Sequence, residues 1–179
     1  MNKLFSLVAL TIGFTVSAQI TTSSTNNSGA SASAIGLQTT ASGVASTSMG
    51  RQTLASGDYS TAIGHLTDAS GGTSLAMGRE TEAIGTYSTA IGFLTDAVGG
   101  TSIAMGRQTL ANALYSTAMG HLTIASGESS SSMGYQTTAG GDYSTALGYL
   151  TSASGGSSIA MGRSTSASEL YATAMGHET

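Results

Sequence analysis

A glycine returns every fourteen residues along almost the whole chain, at Gly36, Gly50, Gly64, Gly78, Gly92, Gly106, Gly120, Gly134, Gly148, Gly162 and Gly176, with no insertion or deletion. Each closes a five-residue unit, of which Ser60-Thr61-Ala62-Ile63-Gly64 is representative. A strict period of this length excludes an ordinary globular core. It demands a solenoid in which each coil consumes fourteen residues and contacts its neighbours.

Positions within a coil are counted from this glycine. The third position is always threonine, from Thr39 and Thr53 to Thr179, and the fifth is alanine from Ala41 to Ala167. Glycine recurs at the seventh position (Gly43, Gly57, Gly71, Gly85, Gly99, Gly127, Gly141, Gly155), giving way to Ala113 and Glu169. A coil therefore reads as two half-turns, each a short extended segment of ~4 to 5 residues ending where glycine supplies a positive φ. An amphipathic helix is excluded, because a glycine every seven residues would cost about 1 kcal/mol each relative to alanine. Stacked coils instead pair every backbone group at ~4.8 Å, so about ten coils make a rod on the order of 50 Å long.

Period-two alternation then assigns faces. The thirteenth position is large and apolar in every coil (Ile35, Met49, Ile63, Met77 and onward), and is expected to point inward against the constant Thr and Ala. The opposite parity carries Ser60, Ala62, Ser74, Ala76, Ser88, Ala90, Ser102 and Ala104, expected to form a flat outer face for subunit packing. Small side chains there would let another sheet approach closely.

A longer period of 28 residues overlies the first. Tyr59, Tyr87, Tyr115, Tyr143 and Tyr171 occupy the ninth position of alternate coils, with Thr73, Thr101, Ser129 and Ser157 between them. The tyrosines are a candidate surface ladder. At the first position Arg51, Arg79, Arg107 and Arg163 alternate with His or aromatic residues, which sets like charges about 9.6 Å apart rather than ~4.8 Å.

Among 179 residues only 8% are charged, the net charge is −4 and there is no proline, cysteine or tryptophan. Five Lys and Arg residues cannot supply the basic stripe that nucleic acid requires. Lys3, the apolar run from Leu4 to Val16 and the small residues Val16-Ser17-Ala18 have the pattern of a signal peptide over residues 1–18. Its apolar stretch is short of the roughly 20 residues that span a bilayer. Residues 19–33 read as a polar lead-in or degenerate first coil, and 34–179 as the repeat domain, open or truncated at its C-terminal end. The mature chain is expected to be exported, with no membrane-spanning segment.

Nothing in the sequence points to catalysis, and no cofactor or metal site is expected. The serines are repeat positions without a base and an orienting acid beside them. His65, His121 and His177 lie 56 residues apart, four coils or ~19 Å along the rod. Asp58, Asp68, Asp96 and Asp142 lie near glycines but lack the Gly-Gly-x-Gly-x-Asp calcium pattern.

These units resemble those of the YadA-like heads of trimeric autotransporter adhesins, fourteen-residue repeats with a Ser-Val-Ala-Ile-Gly core. The matching copies are Ser60-Thr61-Ala62-Ile63-Gly64, Ser74-Leu75-Ala76-Met77-Gly78, Ser102-Ile103-Ala104-Met105-Gly106 and Ser158-Ile159-Ala160-Met161-Gly162. The resemblance covers about residues 30–179. It implies an all-β, left-handed parallel β-roll (a β-solenoid), three of which associate side by side as a homotrimer. It also implies a non-enzymatic adhesin head at the cell surface or outside the cell, outer membrane-associated where it belongs to a longer autotransporter. Its partner would be extracellular matrix or another surface ligand. The collagen-binding heads place Asn before the Ser and Val after it, whereas this chain has Tyr, Thr or Ser before and Thr, Leu or Ile after. The alternatives are an ice-binding β-solenoid, for which a flat Thr- and Ser-rich face is the requirement, and a passive spacer of a larger surface or tail fibre.

Overall fold

The computed structural model describes residues 24–179; the signal peptide expected over residues 1–18 lies outside them. Those residues form one continuous β-solenoid of about 11 turns without a helix. Every strand pairs in parallel with its equivalent one coil away, fourteen residues on, as in Ala62↔Ala76 and Gly64↔Gly78. In four successive coils the strand runs unbroken for nine residues: Thr61–Ala69, Leu75–Ala83, Thr89–Ala97 and Ile103–Ala111. Elsewhere it divides into a segment of five and one of two, such as Thr47–Arg51 and Leu54–Ala55. The stack extends upstream of the first pentapeptide, since Asn26–Asn27 pairs with Thr40–Ala41.

The glycines do two different jobs. Those of the pentapeptide have φ between 120° and 140°, a region closed to L side chains, and a Cβ on Gly92 would sit 1.8 Å from the Gly106 carbonyl oxygen. The seventh-position glycines are not at positive φ, contrary to the expectation that both turn the chain. They are favoured by proximity, because a Cβ on Gly71 would lie 2.1 Å from the Gly85 oxygen. The corners fall on non-glycine residues at the second and ninth positions, all left-handed, including Gln52 (φ 54°), Leu66 (54°), Tyr59 (58°) and Thr73 (55°).

These corners reverse the direction of hydrogen bonding. Strand amides donate to the following coil, as Thr61 N–H does to Ser74 O at 2.9 Å. Corner amides donate to the preceding one, as Tyr59 N–H does to Val44 O at 2.7 Å and Gln52 N–H to Leu37 O at 2.8 Å. Each coil is thereby bonded in both senses to its neighbours.

The interior overturns half of the face assignment. Thr67 and Ala69 are buried as expected, but so are Ser60, Ala62, Ser74, Ala76, Ser88, Ala90, Ser102 and Ala104, all between 0% and 2% exposed. They cannot form an outer subunit-packing face. The Ile and Met side chains of the thirteenth position point outward instead, half-buried or exposed within the single chain. The reason is width: the two halves of a coil lie so close that threonine is the largest side chain fully enclosed between them. An Ile or Met in that space would force the halves apart.

An interior of Thr, Ser and Ala brings hydroxyls into an apolar space. Where serine replaces alanine at the twelfth position, the hydroxyls pair: Ser48 Oγ and Thr53 Oγ1 are 2.6 Å apart, and Ser132 Oγ and Thr137 Oγ1 2.7 Å. In the other coils Thr67, Thr81, Thr95 and their counterparts have a buried Oγ1 with no partner among the described residues.

Candidate functional site

Because the interior is a closed ladder, chemistry can reside only on the outer surface, which has four longitudinal features. The first is the apolar face made by the eleventh and thirteenth positions. Leu75, Ile103 and Ile159 at the eleventh join the Ile, Met and Leu residues at the thirteenth, and Ile103 (39%), Met119 (36%) and Leu147 (36%) remain exposed. An apolar stripe that runs from coil to coil marks a surface of association.

The second feature is the first-position column. Phe93 lies in register between Arg79 and Arg107, whose guanidinium carbons are 5.3 and 5.8 Å from its ring centroid. Further along, His121 meets Tyr135 edge-on at 5.1 Å, Tyr135 stacks on Tyr149 at 5.1 Å, and Arg163 lies 5.5 Å over Tyr149. The aromatic rings therefore do more than separate the arginines, since Arg79, Arg107 and Arg163 each rest on a π face.

Third, Asp68, Glu82 and Asp96 fall in register on adjacent coils, in a groove of about 490 Å³ that Leu54, Leu66 and Leu94 help to line. Burial pushes the Asp68 carboxyl above the usual carboxylate range; a hydrogen bond with Ser70 opposes this and repulsion from Glu82 adds to it. Asp96 is raised by the same burial and by Glu82. Among the described residues no three His, Asp or Glu side chains converge on a position that could hold a metal ion.

Fourth is the ninth-position corner, where Tyr59 (64%), Tyr87 (64%), Tyr115 (55%), Tyr143 (63%) and Tyr171 (74%) stand out into solvent.

The description "YadA head domain repeat (2 copies)" matches the chain in six windows: 28–51, 41–67, 69–95, 97–123, 125–151 and 153–179. This chain belongs to the YadA head family. From residue 41 onward the windows begin 28 residues apart, so the two-copy family unit recurs at the same interval as the tyrosines. None of the curated proteins matches it.

On this YadA head, the residues singled out in the sequence divide cleanly. The tyrosines are at the surface, while the eight Ser and Ala residues offered as a packing face are internal. The constant Thr row is internal too, so the flat outer Thr face that ice binding would require is occupied by other residues. The apolar outer face was missed. Its signal was present in Leu75, Ile103 and Ile159, which repeat the apolar character of the thirteenth position two residues earlier on the same strand face.

Proposed function

We propose that this YadA head is the non-catalytic binding tip of an exported surface adhesin and works as a side-by-side homotrimer. The outward row of Ile, Met and Leu carries the reading. In one chain it runs the length of the rod without a cover, and wrapping three such faces together would remove it from water. The family supports the same assembly. The subunit face moves, accordingly, from the Ser and Ala positions to the eleventh and thirteenth.

Burial of that row would leave the corners and the groove face free for a surface ligand. The N-terminal segment from Lys3 to Ala18 supplies export. Sedimentation equilibrium of the mature chain is expected to give three times the protomer mass. Met105→Lys with Met133→Lys, which places charges on the face without touching the interior, is expected to yield monomers. A folded wild-type monomer refutes the trimer. A trimer that adheres to no matrix or cell surface refutes the adhesin in favour of a spacer.

A further inference from the structure

The tyrosine corner has a composition that folding does not explain. The ninth position must be left-handed in every coil, and Ala45, Thr73, Thr101, Ser129 and Ser157 meet that need as well as tyrosine does. A non-glycine residue there costs on the order of 1 kcal/mol, and a large ring does nothing to lower it. None of the phenols of Tyr59, Tyr87, Tyr115, Tyr143 and Tyr171 makes a hydrogen bond or a ring contact among the described residues. Large aromatic rings held at a fixed corner, without partners and more than half exposed, are built to meet something outside the chain.

Spacing and charge narrow what that is. Rings recur every second coil, about 9.6 Å apart along the stack, with one hydroxyl residue midway between each pair. From the sixth to the eleventh position there is no Lys, Arg or His in any coil, so polyanions find no counter-charge. Two carboxylates in that strip are already engaged: Asp58 Oδ1 accepts from Val44 N–H and Asp142 Oδ1 from Glu128 N–H, both at 2.9 Å. The surface therefore presents a periodic array of flat rings and hydroxyls with no cation, and its few carboxylates (Asp58, Glu128, Asp142 and Glu169) lie at the seventh and eighth positions beside the ring column. A β-1,4-linked polysaccharide is its chemical complement. Successive sugars in such a chain are inverted, so every second one offers the same apolar face to a ring, while equatorial hydroxyls project at the edges toward Ser and Thr.

We infer that the tyrosine ladder is a binding site for an extended, uncharged β-1,4-linked glycan of the cellulose or chitin type, laid parallel to the rod axis with alternate sugars stacked on successive tyrosines. This deepens the adhesin reading and rests on it. At one sugar per coil, five rings span about nine sugars.

The test uses the mature head and titrates it calorimetrically with cello- and chito-oligosaccharides up to about ten sugars. Maltohexaose, which is α-linked, serves as control. Affinity is expected to climb with length and level off near nine sugars, as successive rings engage. Each ring removed, in Tyr87→Ser and then Tyr87→Ser with Tyr115→Ser, is expected to weaken binding roughly 2- to 10-fold. Serine stands naturally at the equivalent positions 129 and 157, so these variants keep the fold.

Moving a ring is the stricter trial. Tyr115→Thr combined with Thr101→Tyr preserves the number of tyrosines but breaks their spacing, and is expected to lose as much affinity as deletion. The cellulose-type and chitin-type arms identify the sugar. Binding to neither, equal binding to the α-linked chain, or indifference to the moved ring overturns the inference. A trimer that still adheres to other surfaces under those results leaves the adhesin reading intact. Dissociation of the trimer in the Tyr→Ser variants would assign the rings to subunit packing and also overturn it.

Discussion

Thr53 and Thr95 occupy the same place in their coils but differ in one respect: Thr53 Oγ1 pairs with Ser48 Oγ at 2.6 Å, whereas Thr95 faces Ala90 and its Oγ1 is unpartnered. Valine is the near-isosteric replacement. Thr53→Val removes a paired hydroxyl, and because Ser48 Oγ still donates to the Thr53 carbonyl at 3.0 Å, the loss is limited to about 1 kcal/mol. Thr95→Val removes a hydroxyl that folding strips of water without compensation, so a gain of about 1 kcal/mol is expected. The two variants should therefore differ by about 2 kcal/mol in opposite directions. With a urea slope near 2 kcal/mol/M, that is about 1 M between the midpoints. Measurements must be made at one protein concentration, since self-association of the proposed kind would add to apparent stability. Ala90→Ser closes the argument by giving Thr95 the partner that Ser48 gives Thr53, and is expected to stabilise by up to about 1 kcal/mol. Midpoints that shift together, in the same direction and by the same amount, would refute this account of the interior.

The glycine columns should differ in tolerance: Gly92→Ala adds a left-handed strain to a clash with the next coil, and is expected to cost on the order of 3 kcal/mol by thermal or chemical melting. Gly71→Ala should cost less, because Ala113 stands at the equivalent position and its coil accommodates it by forgoing the amide bond that Gly71 makes to Ala83 O at 3.1 Å. Phe93→Arg would place three guanidinium groups in register at ~4.8 Å and is expected to destabilise by about 1 kcal/mol, a loss that added salt recovers. Asp68 and Asp96 have carboxyls raised by burial, so the native state takes up protons before the unfolded state does. Stability should rise as the pH falls from neutrality through their raised values toward the ordinary 3.8, and Asp68→Asn with Asp96→Asn should flatten that rise in a melting-temperature profile.

The period itself dictated the solenoid, and the invariance of Thr67 and Ala69 placed them correctly inside. Alternation also separated Ile63 from Ala62, but alternation gives two faces without saying which is enclosed. That choice depends on the width of the coil, which encloses nothing larger than threonine. Hydrophobicity alone pointed the wrong way. The corners were illegible for a different reason: Tyr59 and Leu66 have no intrinsic liking for a left-handed backbone and adopt it because the ladder on either side imposes it. Around Asn26 and Asn27 the sequence left a polar lead-in and a degenerate first coil both open, because polar side chains mask a strand whose pairing runs through the backbone.

The two-way bonding of the coils has a mechanical consequence. Tension along the rod loads the hydrogen bonds end to end, and a coil can leave the stack only when bonds running in both senses give way together. Each coil that peels then releases fourteen residues, roughly 45 to 50 Å of contour, in a single step. Under pulling, the rod would lengthen by equal increments while the remaining coils kept their shape, so that a sudden load is dissipated as unspooling.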